Sequence, residues 1–320
     1  MVSFSFGEPE PVLKSRSTDY NGVFKSINNR FYIPPVSQRG LAKLRHVNAH
    51  HGTALVFKRN MVLKYFKPNR FISLAEFKKI VMDALVFGHC YSRIYSNGFG
   101  NITRLTHLPA VNMRQLVDSN QFTLLQGHND FFDFKPGEVI QVKEYDIEQS
   151  IYGIPEYYPA LQALLLNEAA TLFRRRYFAN GNHAGFIFYT NDPNLKEEDE
   201  TALKEAIKNS KGVGNFRSIY LNIPDGKPDG VKLIPVGDIS TKDEFERIKN
   251  ISRNDIISVH RVNPALAAVM PENTAGFGDI EKISRVYYEN EVIPLQSLFL
   301  EINEILGANI IEFSTPEFNE

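Results

Sequence analysis

The sequence has a single cysteine, Cys90, so it can form no internal disulfide and no cysteine-rich metal site. That scarcity predicts assembly in a reducing, cytoplasmic compartment. Long hydrophobic runs are also missing: the apolar stretches fall well short of the roughly 20 residues a membrane-spanning helix needs. The opening MVSFSFGEPEPVLKS has neither the basic start nor the apolar core of a signal peptide. Together these absences predict a soluble, cytoplasmic chain with no membrane partner. A charge excess is lacking too, with 36 basic and 37 acidic side chains giving a net charge of −1. A protein that holds DNA tightly gains affinity from every phosphate it neutralises, so near-neutrality argues against that class. It leaves open a protein that DNA merely passes through, where sticking would be a defect.

Catalytic signatures are equally sparse. There is no G-x-x-x-x-G-K-[ST] stretch, which excludes a P-loop motor, and GxSxG, HExxH and paired DxD patterns are absent. The GFG at 276–278 lacks the rest of a GxGxxG loop and follows no strand, so it reads as a loop tip. His46 and His50 in HVNAHH have the i, i+4 spacing of a helical metal pair. No cysteine or suitably spaced carboxylate completes the set, and a solvated helix face is expected. His260 in HRVNP has no partner nucleophile and is expected to contact the last carbonyls of a helix. The expectation is a protein that is not an enzyme, with no catalytic residue, no cofactor and no metal.

What is present is a chain of 320 residues, 43% hydrophobic, enough to bury a core in about two domains. Residues 1–30 read as an extended arm rich in Pro, Ser and Asn. A helix is predicted over Ser37–Val56, with Leu41, Leu44 and Leu55 on its apolar side. SLAEFKKIVMDALVFG (73–88) is a clearer helix: Ser73 and Glu76 make a capping box, Leu74, Phe77, Val81, Ala84 and Leu85 repeat at helical spacing, and Gly88 closes it. HCYSRIYS, ITRLTHLP, QFTLLQ and EVIQVKEY then read as short strands between turn residues. A long helix follows over 152–181 with Pro159 in its first turn, ending at Asn180 or Gly181. Next come a small α/β insert between AGFIFYT and VKLIPV, and a helix capped by Ser240 or Thr241 that halts before Asn263-Pro264. A two-proline, two-glycine loop leads to DIEKISRVYYENEVIPLQSLFLEINEILG, one helix about 40 Å long that Pro294 must kink. That order describes an extended spine with a knob, not a doubly wound sheet or a barrel.

Three arginines, Arg174, Arg175 and Arg176, sit near the end of the long helix. Cations there favour the negative end of the helix dipole, yet three consecutive residues point in three directions, so the dipole alone does not account for them.

The stretches IYGIPEYYPALQALLLNEAATLFRRRYFANGNHAGFIFYT, KNSKGVGNFRSIYLNIPDGKPDGVKLIPV and TKDEFERIKNISRNDIISVHRVNPALAAVMPENTAGFGDIEKISRVYYENEVIPLQ closely resemble the portal proteins of tailed bacteriophages, in the branch of contractile-tailed phages and PBSX-type prophages. HHGTALVFKRNMVLKYFKPNR and DALVFGHCYSRI resemble it as well, so the likeness runs over residues 30–313. The resemblance implies an α+β portal fold. Its parts would be a wing (31–154), a stem of two helices (155–182 and 240–263), a small α/β clip (183–239), a tunnel loop (264–279) and a long Pro-kinked channel helix with a C-terminal wing segment (280–320). It implies a ring, usually of twelve copies, at one capsid vertex, through which the terminase motor packages double-stranded DNA and through which DNA later leaves. The implied partners are further copies of the chain, the terminase large subunit, the major capsid and scaffolding proteins, the head-completion or neck proteins, and DNA contacted without sequence preference. On this reading Asn263, Glu272, Asn273, Thr274, Gly276, Phe277 and Gly278 face DNA in the tunnel loop. Arg174, Arg175, Arg176, Asp243, Glu246, Arg247, Arg253 and Asp255 make contacts between stems, as a head-to-tail ring requires. The rival readings are an adaptor or scaffold ring that conducts no DNA, and a nucleic-acid-processing enzyme.

Overall fold

Ser73 starts the helix that organises the fold, its hydroxyl accepting the Glu76 N–H at 3.3 Å. In the computed structural model, which describes residues 20–127, 130–179, 186–190, 231–235, 241–266 and 279–316, this helix, α3, runs Leu74–Phe87. The Glu76 carboxylate is engaged elsewhere, accepting the His107 N–H at 2.8 Å and pairing with Lys79 at 2.7 Å, so only the serine half of the expected capping box forms. Phe77, Ile80, Val81, Ala84 and Leu85 face the core, while Leu74, expected on that stripe, is exposed. Gly88 closes α3 with φ +73°, its N–H donating to Ala84.

Two short strands, β1 (Phe24–Lys25) and β2 (Tyr32–Ile33), precede the helices α1 (Gln38–Leu44) and α2 (Ala49–Lys64). The single helix expected over 37–56 is therefore broken. The chain turns at 45–47, and the Asn48 side chain restarts it by accepting the His51 N–H at 2.9 Å. After α3 come β3 (His89–Ser96), β4 (Ile102–Leu108), β5 (Met113–Gln115), β6 (Phe122–Leu125), β7 (Phe131–Asp133) and β8 (Val139–Lys143). They form two antiparallel three-stranded sheets ordered β4-β3-β8 and β5-β6-β7. The central strand β3 buries His89, Cys90, Tyr91 and Ser92 in succession, because α3 covers one face and further chain covers the other.

The next long helix, α4, is shorter than its expected span. A 3₁₀ turn at Tyr158–Ala160, containing Pro159, leads into Leu161–Ala179. β9 (Phe186–Thr190) and β10 (Val231–Pro235) pair antiparallel with Phe186 opposite Pro235. The helix and strand expected between them lie outside the described residues. Helix α5 follows at Thr241–Val259, then α6 (Ile280–Tyr287), a π-turn at Tyr288–Val292, and α7 (Ile293–Leu306). The last helical run is thus continuous over the expected range, and the irregularity sits immediately before Pro294. Gly307 ends α7 at φ +61°.

Two compact units divide the chain: residues 1–165 with 253–320, and residues 166–252. In the first, Phe66 stacks on Phe77 at 4.0 Å, and Phe77 meets Phe299 at 5.3 Å and Phe313 at 5.8 Å, so α2, α3, α7 and the segment after α7 share one core. That final segment is fastened by polar bonds as well. Asn69 donates to the Ile310 carbonyl at 2.7 Å, the Lys67 N–H to Glu312 at 2.9 Å, and the Ser314 N–H to Tyr65 at 2.7 Å. In the second unit the buried Asn167 of α4 donates to the Ser252 hydroxyl at 2.9 Å and the Lys249 carbonyl at 3.2 Å, both on α5.

Candidate functional site

Helix α5 was expected to continue to Val262. It ends at Val259 instead, because Arg261 adopts the left-handed region at φ +52°. The Arg261 N–H donates to the Ser258 carbonyl at 2.9 Å and the Val262 N–H to Ile257 at 3.3 Å, the paired bonds of a Schellman cap. Val262 and Ile257 close the cap by packing together on Ala54. A non-glycine residue in this region is strained by about 1 kcal/mol or more, and the ion pairs of Arg261 offset that strain.

Those pairs form a four-membered network from four parts of the chain. Arg261 Nη2 donates to Glu156 Oε1 at 2.5 Å, and Arg261 Nε lies 2.8 Å from Glu291. Lys58, only 2% exposed, reaches Glu156 at 3.1 Å and Glu291 at 3.8 Å. Glu291 belongs to the π-turn, Lys58 to α2, and Glu156 to the segment entering α4. Burial tends to raise the Glu156 pKa, but Lys58 and Arg261 outweigh it and hold the carboxyl below its usual range. Hydrogen bonds from Arg261 to Glu291 and Glu156 likewise overcome its own desolvation and raise its pKa.

A cavity of 670 Å³ opens beside this network, its wall carrying Glu144, Glu156, Glu291, Glu301 and Glu304 with Arg261. Burial, then the Glu156 and Glu301 charges, push the Glu144 pKa up; burial and Glu304 do the same to Glu301. Below the network, His51 Nδ1 and His260 Nε2 lie 2.8 Å apart, both buried and packed on Tyr157 at ring distances of 4.5 and 5.7 Å. The last-turn carbonyl contact expected of His260 is replaced by this histidine pair. His46 and His50 do not share a helix, since the turn at 45–47 separates them. His51, the neighbour that the i, i+4 reading passed over, is the buried one. Its signal was Asn48, a helix start that fixes which histidine points inward.

The expected site residues are placed as follows. Asn263 accepts the Ala265 N–H at 2.9 Å and borders a 320 Å³ cavity with Arg261 and Pro264. Glu272, Asn273, Thr274, Gly276, Phe277 and Gly278 lie outside the described residues, as do the side chains of Arg176 and Asp243. Arg174 and Arg175 are exposed on α4, and Glu246, Arg247 and Asp255 on α5, where half-buried Arg253 leans on Asn254 at 3.3 Å. Among the described residues, no group of three His, Cys, Asp or Glu is placed to hold a metal ion, and no helix is long and apolar enough to cross a membrane. Arg261 and Glu291 read in the sequence only as members of their helices, since partners 30 to 233 residues apart leave no periodic trace.

Comparison with known proteins gives these groups a context. Residues 48–311 match the family model described as phage portal protein. The chain is 41% identical over 314 residues to the probable portal protein of Escherichia phage P2, covering 98% of this chain and 91% of that one. It is 40% identical over 325 residues to the probable portal protein of Haemophilus phage HP1, covering 99% and 93%. The fold is similar to that of an HK97-family phage portal protein from Corynebacterium diphtheriae, with a TM-score of 0.60, 13% identity, and coverage of 85% of this chain and 94% of that one. It is also similar to a chain in the neck of a native gene transfer agent particle computed with C12 symmetry, with a TM-score of 0.58, 18% identity, and coverage of 86% and 83%.

Proposed function

The chain belongs to the phage portal protein family, and from that premise we propose that it assembles as a ring at one capsid vertex and conducts double-stranded DNA. The observation that carries this reading is the 41% identity to a phage portal protein across 98% of the chain. The ring of twelve agrees with the twelvefold symmetry of the gene transfer agent neck whose chain has a similar fold. In this reading residues 31–154 form the wing, 155–182 and 240–263 the stem, 183–239 the clip, 264–279 the tunnel loop, and 280–320 the channel helix and last wing segment. The clip meets the terminase large subunit during packaging and the head-completion proteins afterwards. Capsid and scaffolding proteins surround the wing, and the assembled ring is part of the virion, built in the host cytoplasm. The role is structural, with no bond made or broken by this chain.

The net charge of −1 supports a channel that does not retain its cargo, since backbone contacts that release few counterions let a duplex slide. Exposed Arg174 and Arg175 on α4, and exposed Glu246, Arg247 and Asp255 on α5, support contacts of mixed charge between adjacent stems.

Native mass spectrometry with negative-stain imaging tests the assembly: rings of twelve with an open centre are expected. A monomer that persists with the scaffolding protein present would overturn it. Arg175→Glu is expected to weaken ring assembly, and unimpaired rings would remove the stem pairing. Deleting 270–277 is expected to leave rings intact but lower the yield of DNA-filled heads, and normal yield would remove the tunnel-loop role.

A further inference from the structure

The helical run from Ile280 to Leu306 changes register once. At Tyr288–Val292 it widens, and the Ile293 N–H donates to the Tyr288 carbonyl five residues back. Such a turn holds one residue more than an α-turn. Removing it would move α6 relative to α7 by one residue, about 100° of rotation and about 1.5 Å of rise.

Two features favour the wide turn. Pro294 has no N–H to offer the Asn290 carbonyl, and its ring would press on that carbonyl in a regular helix. The second feature is electrostatic. Glu291 lies within the turn and is held by Arg261 at 2.8 Å and Lys58 at 3.8 Å. Both cations are anchored outside this helix, on α5's cap and on α2, and Glu156 braces them from a third direction. Shortening the turn would rotate Glu291 about the helix axis and out of reach of Arg261 Nε.

The wide register also has something against it. Tyr287, next to the turn and 5% exposed, packs on Phe57 with its hydroxyl buried and no hydrogen-bond partner among the described residues. A buried unpaired hydroxyl is unfavourable. A register that turns Tyr287 towards water would relieve it. The observed register therefore satisfies Glu291 and leaves Tyr287 unsatisfied, so opposing effects act on the same turn.

We infer that the π-turn at Tyr288–Val292 is a register switch, latched in its wide form by the pairing of Glu291 with Arg261 and Lys58. Lys58 is the interior member of the latch and Arg261, whose side chain is 52% exposed, is the accessible one. A pair half open to water is weakened by salt, so ionic strength or a competing anion at Arg261 releases the switch. The inference concerns the chain itself and holds whether or not it forms a DNA-conducting ring.

Amide hydrogen exchange of the full chain tests it. In Glu291→Gln, amides over 284–293 are expected to exchange about tenfold faster or more, as loss of a charge-assisted bond predicts. Glu289→Gln is the control, because Glu289 lies in the same turn but, among the described residues, pairs with Arg285 alone, at 3.1 Å on the surface. It is expected to leave those rates unchanged. In the unaltered chain, raising salt to about 1 M, where screening acts within about 3 Å, is expected to accelerate the same amides. Glu291→Gln should lose that salt dependence. If Glu291→Gln does not fold, Arg261→Lys serves, keeping the charge while losing the Nε bond. Unchanged exchange in a folded variant, or salt dependence that survives removal of the Glu291 charge, would overturn the switch.

Discussion

The Gly88 carbonyl occupies the space that a side chain on Gly153 would need, and the Ile154 backbone occupies the space beside Gly88. The same carbonyl accepts the Glu144 N–H at 2.8 Å, so the end of α3, the end of β8 and the approach to α4 meet at one backbone crossing. Alanine at Gly153 would collide with Gly88, and alanine at Gly88 would meet the backbone of Ile154 while holding φ +73°. Each substitution is expected to destabilise the chain by about 2–4 kcal/mol, read as a shift in the urea midpoint with an unchanged slope. A loss under half of the lower figure would mean that the crossing relaxes easily.

Acid is expected to weaken the fold well before carboxylates titrate. Burial lowers His51 and His89 from the usual 6.5 to about 4 in the folded chain. The unfolded chain takes up protons near pH 6.5 that the folded chain refuses, so this stabilisation is complete above pH 6.5 and is lost as pH falls towards 4. Each histidine contributes on the order of 3 kcal/mol across that window. Denaturant melts at stepped pH measure the slope, and His51→Gln should flatten it between pH 6.5 and 5. A slope identical in both proteins would mean that His51 is not held neutral.

Lys58 is buried while its partner Glu156 is about one-third exposed. Lys58→Met leaves two carboxylates sharing Arg261, with an expected loss of about 1–3 kcal/mol, smaller than for a fully buried pair because water reaches Glu156. Adding Glu156→Gln should restore part of that loss. A double-mutant cycle gives the coupling, and strictly additive effects would show that the two groups do not interact.

In the second unit, Asn167→Ala removes the two bonds that its side chain makes to α5. The expected penalty is about 1–2 kcal/mol, seen as faster amide exchange over 245–252. Exchange confined to the α4 side would assign the bonds a purely local role.

Features set by near neighbours were legible in the sequence. Ser73 and Gly88 bounded α3 correctly, and HCYSRIYS forms β3 residue for residue, because caps and alternation depend on residues within a few positions. The break at 45–47 was missed because apolar spacing runs on through Leu41, Leu44 and Leu55 while the decisive signal is the side chain of Asn48. The end of α5 falls three residues before the expected one because Asn263-Pro264 is a visible stop, whereas the Arg261 turn depends on ion pairs to Glu156 and Glu291. A kink at Pro294 is what its chemistry leads one to expect, but a π-turn just before it is not, since the ion pairs that hold Glu291 lie on other elements. The charged network as a whole was invisible for the same reason.

The segment beyond α7 lies against Tyr65, Lys67 and Asn69, and Ile310 and Ile311 are completely buried. The first unit is therefore written in two instalments, with residues 166–252 between them. During synthesis at roughly 5–20 residues per second, residues 20–165 wait for many seconds without Phe299, Ile310 and Phe313 to cover Phe77. A nascent chain of this protein thus presents an unfinished aromatic surface until residues 299–313 have emerged. The order in which the ribosome delivers the parts, more than their stability once joined, sets when this chain most needs a chaperone.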